Sequence, residues 1–128
     1  MSYYFAKTLD MGFDEAVERV TEALKVEGFG IITEIDVAAT FKKKLEKEFR
    51  PYRILGACNP KLAHEALAIE DKVGTMLPCN VVVQEISPGK AEVAAIDPVA
   101  SMQAIHNPRL SVAAREVQTR LKRVVESL

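Results

Sequence analysis

The chain has 128 residues, with 17 Lys and Arg against 18 Asp and Glu and 48% hydrophobic residues. That is one domain's worth, with enough apolar content for a core that needs no metal or disulfide staple. A net charge of −1 and only two cysteines argue against a nucleic-acid or membrane-surface binder and against a small disulfide scaffold.

Hydrophobic periodicity divides the chain cleanly. Tyr3 to Leu9 reads as a first strand, rich in aromatics. Phe13, Ala16, Val17, Val20 and Leu24 then keep the spacing of one helix face. Asp14 and Glu15 suit the positive end of that helix, and Gly28 is placed to stop it in a left-handed conformation. Phe29 to Ile35 is strand-like, and Asp36 caps a second helix carrying Phe41, Leu45 and Phe49 at four-residue steps. Pro51 breaks that pattern before a third strand, Tyr52 to Ala57.

Asn59-Pro60 opens a third helix, with Asn as the cap and Pro at the first helical position, where its missing N–H costs nothing. Glu70 to Pro78, which holds Gly74, reads as a loop. Asn80–Ile86 and Ala91–Ile96, joined by Ser87-Pro88-Gly89-Lys90, give the plainest hairpin signal in the chain. A short helical segment around Met102 follows Asp97-Pro98, and Asn107-Pro108 repeats the cap-and-proline device. The last helix, with Leu110, Ala114, Val117, Leu121, Val124 and Leu128 on one stripe, has the strongest periodicity. Alternating helices and strands allow a parallel sheet, but the hairpin demands antiparallel pairing. An α+β domain with helices on one face of a mixed or antiparallel five-stranded sheet satisfies both, as a single domain over residues 1–128.

No window approaches the run of about 18 apolar residues that spans a bilayer. The start, Met1 to Lys7, lacks the basic and apolar regions of a secretory signal. A cytoplasmic protein with no membrane or nucleic-acid partner is the expectation.

Two loci hold the residues with chemistry. In Leu55-Gly56-Ala57-Cys58-Asn59-Pro60, Cys58 lies between a strand end and a helix start, where unpaired backbone N–H groups favour a thiolate. The reading that weighs more for this residue is a small buried hydrophobe at a strand terminus. Gly56 lets the backbone approach a neighbour or a ligand. In Leu77-Pro78-Cys79-Asn80, Cys79 stands twenty-one positions beyond Cys58, so the two form no Cys-x-x-Cys motif. If they meet in space they are candidates for a nucleophile and its resolving thiol; if not, they are core residues. Asn59, Asn80 and Asp97 place polar groups near strand ends, and with Gly56 they are the candidate ligand-binding residues. His64 and His106 stand at no ligand spacing with the cysteines, so no metal site is expected. The serines lack a nucleophile elbow, and Gly28-Phe29-Gly30 follows a helix rather than a strand, the wrong context for a dinucleotide. Lys42-Lys43-Lys44 and Lys47 alternate with Glu46 and Glu48 as a solvated face.

Three stretches taken together resemble the domain of unknown function 302 family. They are Gly56-Ala57-Cys58-Asn59-Pro60, then Leu77-Pro78-Cys79-Asn80 after Gly74, then Asp97-Pro98 with Met102. The likeness covers nearly the whole chain. It implies a TATA-binding-protein-like fold with a curved, mainly antiparallel sheet, found as a homodimer, and it suggests that both Cys-Asn pairs belong to one site. It implies no settled activity, substrate or cofactor. Two functions compete: a homodimeric domain that binds a small ligand or a partner, and a thiol-based redox or sulfur-handling enzyme using Cys58 and Cys79. The thiol has no obvious general base beside it, which ranks the enzyme second.

Overall fold

The structure, a computed structural model, describes residues 2–128. In chain order the elements are β1 (Tyr4–Leu9), α1 (Phe13–Val26), β2 (Gly30–Asp36), α2 (Val37–Leu45), β3 (Tyr52–Cys58) and α3 (Pro60–Ile69). A 3-10 helix (Asp71–Met76), β4 (Cys79–Ser87), β5 (Lys90–Ile96), α4 (Pro98–Ser101) and α5 (Pro108–Glu126) complete the chain. The five strands form one sheet in the order β1-β5-β4-β3-β2, and every neighbouring pair is antiparallel. The alternative of a mixed sheet is thereby settled.

Strand alternation decides which side chains meet the helices. Leu55 and Ala57 of β3, Val81 and Val83 of β4, and Val93 and Ala95 of β5 are all fully buried beneath α1 and α5. Ala16, Val20 and Leu24 of α1 and Leu121, Val124 and Val125 of α5 close the same cluster. The opposite face has no helix layer of this kind. Ile54, Val82 and Ala94 are half-buried there, and Tyr4 and Ile35 are 44% and 49% exposed.

Local signals explain the boundaries. At the end of α1, the Gly28 N–H bonds to the Lys25 carbonyl and the Phe29 N–H to the Leu24 carbonyl, with Gly28 at φ +87°. This glycine closure turns Phe29 into the core. Asp36, Asn59 and Asn107 accept hydrogen bonds from the Ala39, Leu62 and Arg109 N–H groups and so cap α2, α3 and α5, as the sequence predicts.

Three expectations are corrected. Phe49 lies outside α2, which stops at Leu45 with Glu46 left-handed at φ +54°. The chain doubles back so that Phe49 meets Phe41 edge-on at 5.2 Å; tertiary packing, not helix continuity, produced the four-residue spacing. The stretch read as a loop from Glu70 to Pro78 contains the 3-10 helix, because Val73 has a core to enter and is fully buried. The hairpin is also tighter than read. The strands run to Ser87 and from Lys90, leaving Pro88-Gly89 as the connection with Gly89 at φ +81°.

Beyond the main core, Ala66, Val73, Met102, Leu110 and Ala114 form a second cluster among α3, the 3-10 helix, α4 and α5. The two clusters do not fuse, and the space between them is the candidate site.

Candidate functional site

A cavity of about 290 Å³ lies where the two clusters meet. Phe29, Ala57 and Cys79 of the main core form one wall, and Ala66, Met102 and Leu110 of the second cluster form another. Protein interiors rarely leave such a gap. Here its origin is legible in the side chains, since Ala57, Ala63, Ala66, Ala113 and Ala114 all face it, and each is a position where a larger residue would close the space. Ile32 and Leu67 also border it, 62% and 44% exposed, so its mouth has an apolar rim. Ile32 reaches the rim because of a bulge in β2. Ile31 pairs with Ala57 and Thr33 with Gly56, leaving Ile32 unmatched, and a bulged residue is re-aimed in this way.

Among the described residues, Asn59 is the only one lining the cavity whose side chain carries nitrogen or oxygen. Its Oδ1 accepts the Leu62 N–H at 3.2 Å, which fixes the amide and turns Nδ2 the other way. A methyl group on Gly28 would lie 2.8 Å from that Nδ2 and 3.5 Å from Nη1 of Arg120. The Asn59 amide therefore fills the place a side chain at residue 28 would take, and only glycine fits there. Arg120 is held in place by donating Nη1–H to the Glu27 carbonyl at 2.9 Å and Nε–H to Glu116 at 2.9 Å.

Both cysteines line the cavity, and both are free thiols. Cys58 ends β3 and is half-buried, whereas Cys79 begins β4 and is only 8% exposed. Burial pushes the Cys79 thiol up from 9.0 to about 11, with a further contribution from the neighbouring Cys58. The register matters more for their chemistry. Cys79 stands opposite Ala57, not opposite Cys58, so the two thiols are one position out of step and the pleat directs their Cβ atoms apart. A disulfide needs Cβ atoms that converge.

The remaining sequence candidates serve elsewhere. Gly56 accommodates a neighbour. A Cβ there would lie 2.0 Å from Thr33 Oγ1 and 2.7 Å from Pro78 Cγ. Asn80 pairs in register with Gly56 on the uncovered face and is exposed. Asp97 caps α4 by accepting the Val99 N–H at 3.0 Å, and both its oxygens receive Gln118 Nε2 at 3.0 and 3.1 Å. Of the two Cys-Asn pairs, then, Cys58, Asn59 and Cys79 converge and Asn80 turns away. His64 and His106 are exposed, and neither lines the cavity. Sequence reading missed Ile32, because the bulge that carries it to the mouth has no local signature. The alanines of α3 and α5 were visible in the sequence, but only the fold brings them face to face.

The comparisons agree with this architecture. The profile of the family described as "Domain of unknown function DUF302" matches residues 5–128. Among solved structures, an uncharacterized conserved protein DUF302 from Bacillus stearothermophilus is 28% identical. The alignment covers 98% of each chain with a TM-score of 0.90. No curated protein matches the chain.

Proposed function

We propose that this chain, which belongs to the DUF302 family, binds a small apolar molecule in the cavity between its two cores and works as a homodimer. The cavity carries the reading. An apolar space of about 150 Å³ is large enough to take up benzene, and this one, at about 290 Å³, is roughly twice that size. Its walls are almost wholly hydrocarbon and sulfur, with one amide, the usual make-up of a small-molecule pocket. Of the four candidate ligand-binding residues Gly56, Asn59, Asn80 and Asp97, Asn59 is the one we assign to ligand contact. The dimer is supported by the uncovered sheet face, where Tyr4 and Ile35 are exposed beside Ile54 and Val82; a second copy would bury them. Two free thiols favour a reducing compartment, and we place the protein in the cytoplasm.

The second reading, a thiol enzyme using Cys58 and Cys79, is favoured by one observation, that both residues border the same cavity. Against it stand the strand register, the raised Cys79 thiol and the lack, among the described residues, of any lining acid or base. The discriminating experiment titrates 1-octanol into the protein and follows backbone amide resonances by NMR. Saturable shifts centred on Ala63, Ala66 and Val117 are expected. Shifts confined to the sheet face, or none, would contradict the cavity reading.

A further inference from the structure

We infer that the cavity prefers a neutral aromatic ring to a saturated one of the same skeleton, through the sulfur-bearing residues of its walls. The inference rests on the cavity reading above and adds the class of ligand to it. Among the described residues, three of the chain's six sulfur-bearing residues line this one space, Cys58, Cys79 and Met102. They do not come from one side. Cys79 belongs to the main core and Met102 to the second cluster, while Cys58 ends β3. A ligand lodged between the two clusters therefore meets sulfur-bearing residues from more than one wall. Phe29, also in the lining and 2% exposed, adds an aromatic side chain to the main-core wall.

Thiol and thioether sulfur is polarisable and gains by contact with the edge of an aromatic ring. A ligand ring gains again against Phe29, in edge-on or offset contact. A saturated ring has neither the positive edge nor the π-face, so it collects only dispersion and burial. Charge is selected against as well. No lining residue among those described is charged, and Asn59 supplies the sole amide, so a charged group drawn inside would stay unpaired. Volume sets the size. A space of about 290 Å³, set against the ~150 Å³ that holds benzene, takes one ring with a short substituent or two fused rings.

The test compares benzyl alcohol with cyclohexylmethanol by NMR titration of the intact protein. The two share a carbon skeleton and a hydroxyl. Each affinity is divided by that compound's own water-to-hexadecane partition coefficient, which removes the difference in hydrophobicity. The corrected ratio should favour benzyl alcohol about tenfold, the sum of three contacts in the lower part of the sulfur–aromatic range. Two variants ask whether sulfur is the source. Met102→Leu keeps the side-chain volume and removes one sulfur, and Cys58→Ala removes another from a half-buried position. Each should lower the corrected ratio about two- to threefold. A corrected ratio near one in the parent overturns the aromatic assignment while the cavity reading stands. A ratio unchanged in both variants overturns it too, because its source would then lie elsewhere. Saturable binding of neither compound overturns both readings.

Discussion

Replacing Gly56 with alanine asks whether that position serves a neighbour or a ligand. The added methyl would lie 2.0 Å from Thr33 Oγ1 and 2.7 Å from Pro78 Cγ, both well inside van der Waals contact. Thr33 is exposed and can turn its hydroxyl away at the expense of a poorer rotamer, but the Pro78 ring has no such freedom. Overpacking of this kind costs about 1–3 kcal/mol, and two simultaneous contacts place Gly56→Ala near the upper end. Lost unfolded-state entropy returns roughly 0.5–1 kcal/mol, leaving a net destabilisation of about 2 kcal/mol. An unfolding entropy of ~2.1 cal/mol/K per residue makes each kcal/mol worth about 4 °C in a chain of this length, so Tm should fall by about 7 °C. Circular dichroism melts measure the fall directly. Thr33→Ala in the same background removes the closer contact and should restore about half of it, a coupling expected only of touching residues. A Gly56→Ala melt within a degree of the parent would refute the packing argument. If that variant also lost octanol binding, Gly56 would belong to the ligand after all.

Asn59→Ala should lose about 1 kcal/mol with its cap, seen as a Tm drop of a few degrees, whereas Asn59→Asp should melt like the parent. Ala113→Leu fills part of the cavity; it should raise Tm by a few degrees, as cavity-filling changes do, and abolish octanol binding in the NMR titration. Cys79 should resist iodoacetamide in the native protein at pH 7, because a thiol near 11 leaves only about one molecule in ten thousand as thiolate. Its raised pKa also sets a pH dependence. The neutral buried thiol stabilises fully below about pH 9, and that contribution is lost as pH rises towards 11, where the unfolded chain ionises first. Denaturant melts across that window should show the decline, and Cys79→Ala should flatten it. Light scattering at micromolar concentration should give twice the mass of one chain, and a clean monomer would contradict the dimer.

Local rules made the helix caps and strands readable from residues alone. Asn59-Pro60, Asn107-Pro108 and Gly28 announce helix ends because their chemistry is confined to a few neighbouring atoms. Phe49 misled for the opposite reason, since its spacing from Phe41 is satisfied by contact across a turn at Glu46 rather than along a helix. The site divides in the same way. Asn59 was legible as a helix cap beside Cys58. Gly56 and Asp97 read as candidate ligand-binding positions, whereas the structure gives each a packing or hydrogen-bond partner far along the chain, Pro78 for one and Gln118 for the other. The cavity itself is a property of the sheet order and of α5 crossing α3. No single segment contains it.

The most direct test of the account is a crystal structure of the protein soaked with 8-bromo-1-octanol, read from the anomalous signal of bromine. The account predicts a bromine peak inside the cavity, among Ala66, Met102 and Ala114, with the hydroxyl end towards Asn59. Bromine bound only on the uncovered sheet face, with the cavity unfilled, would contradict it.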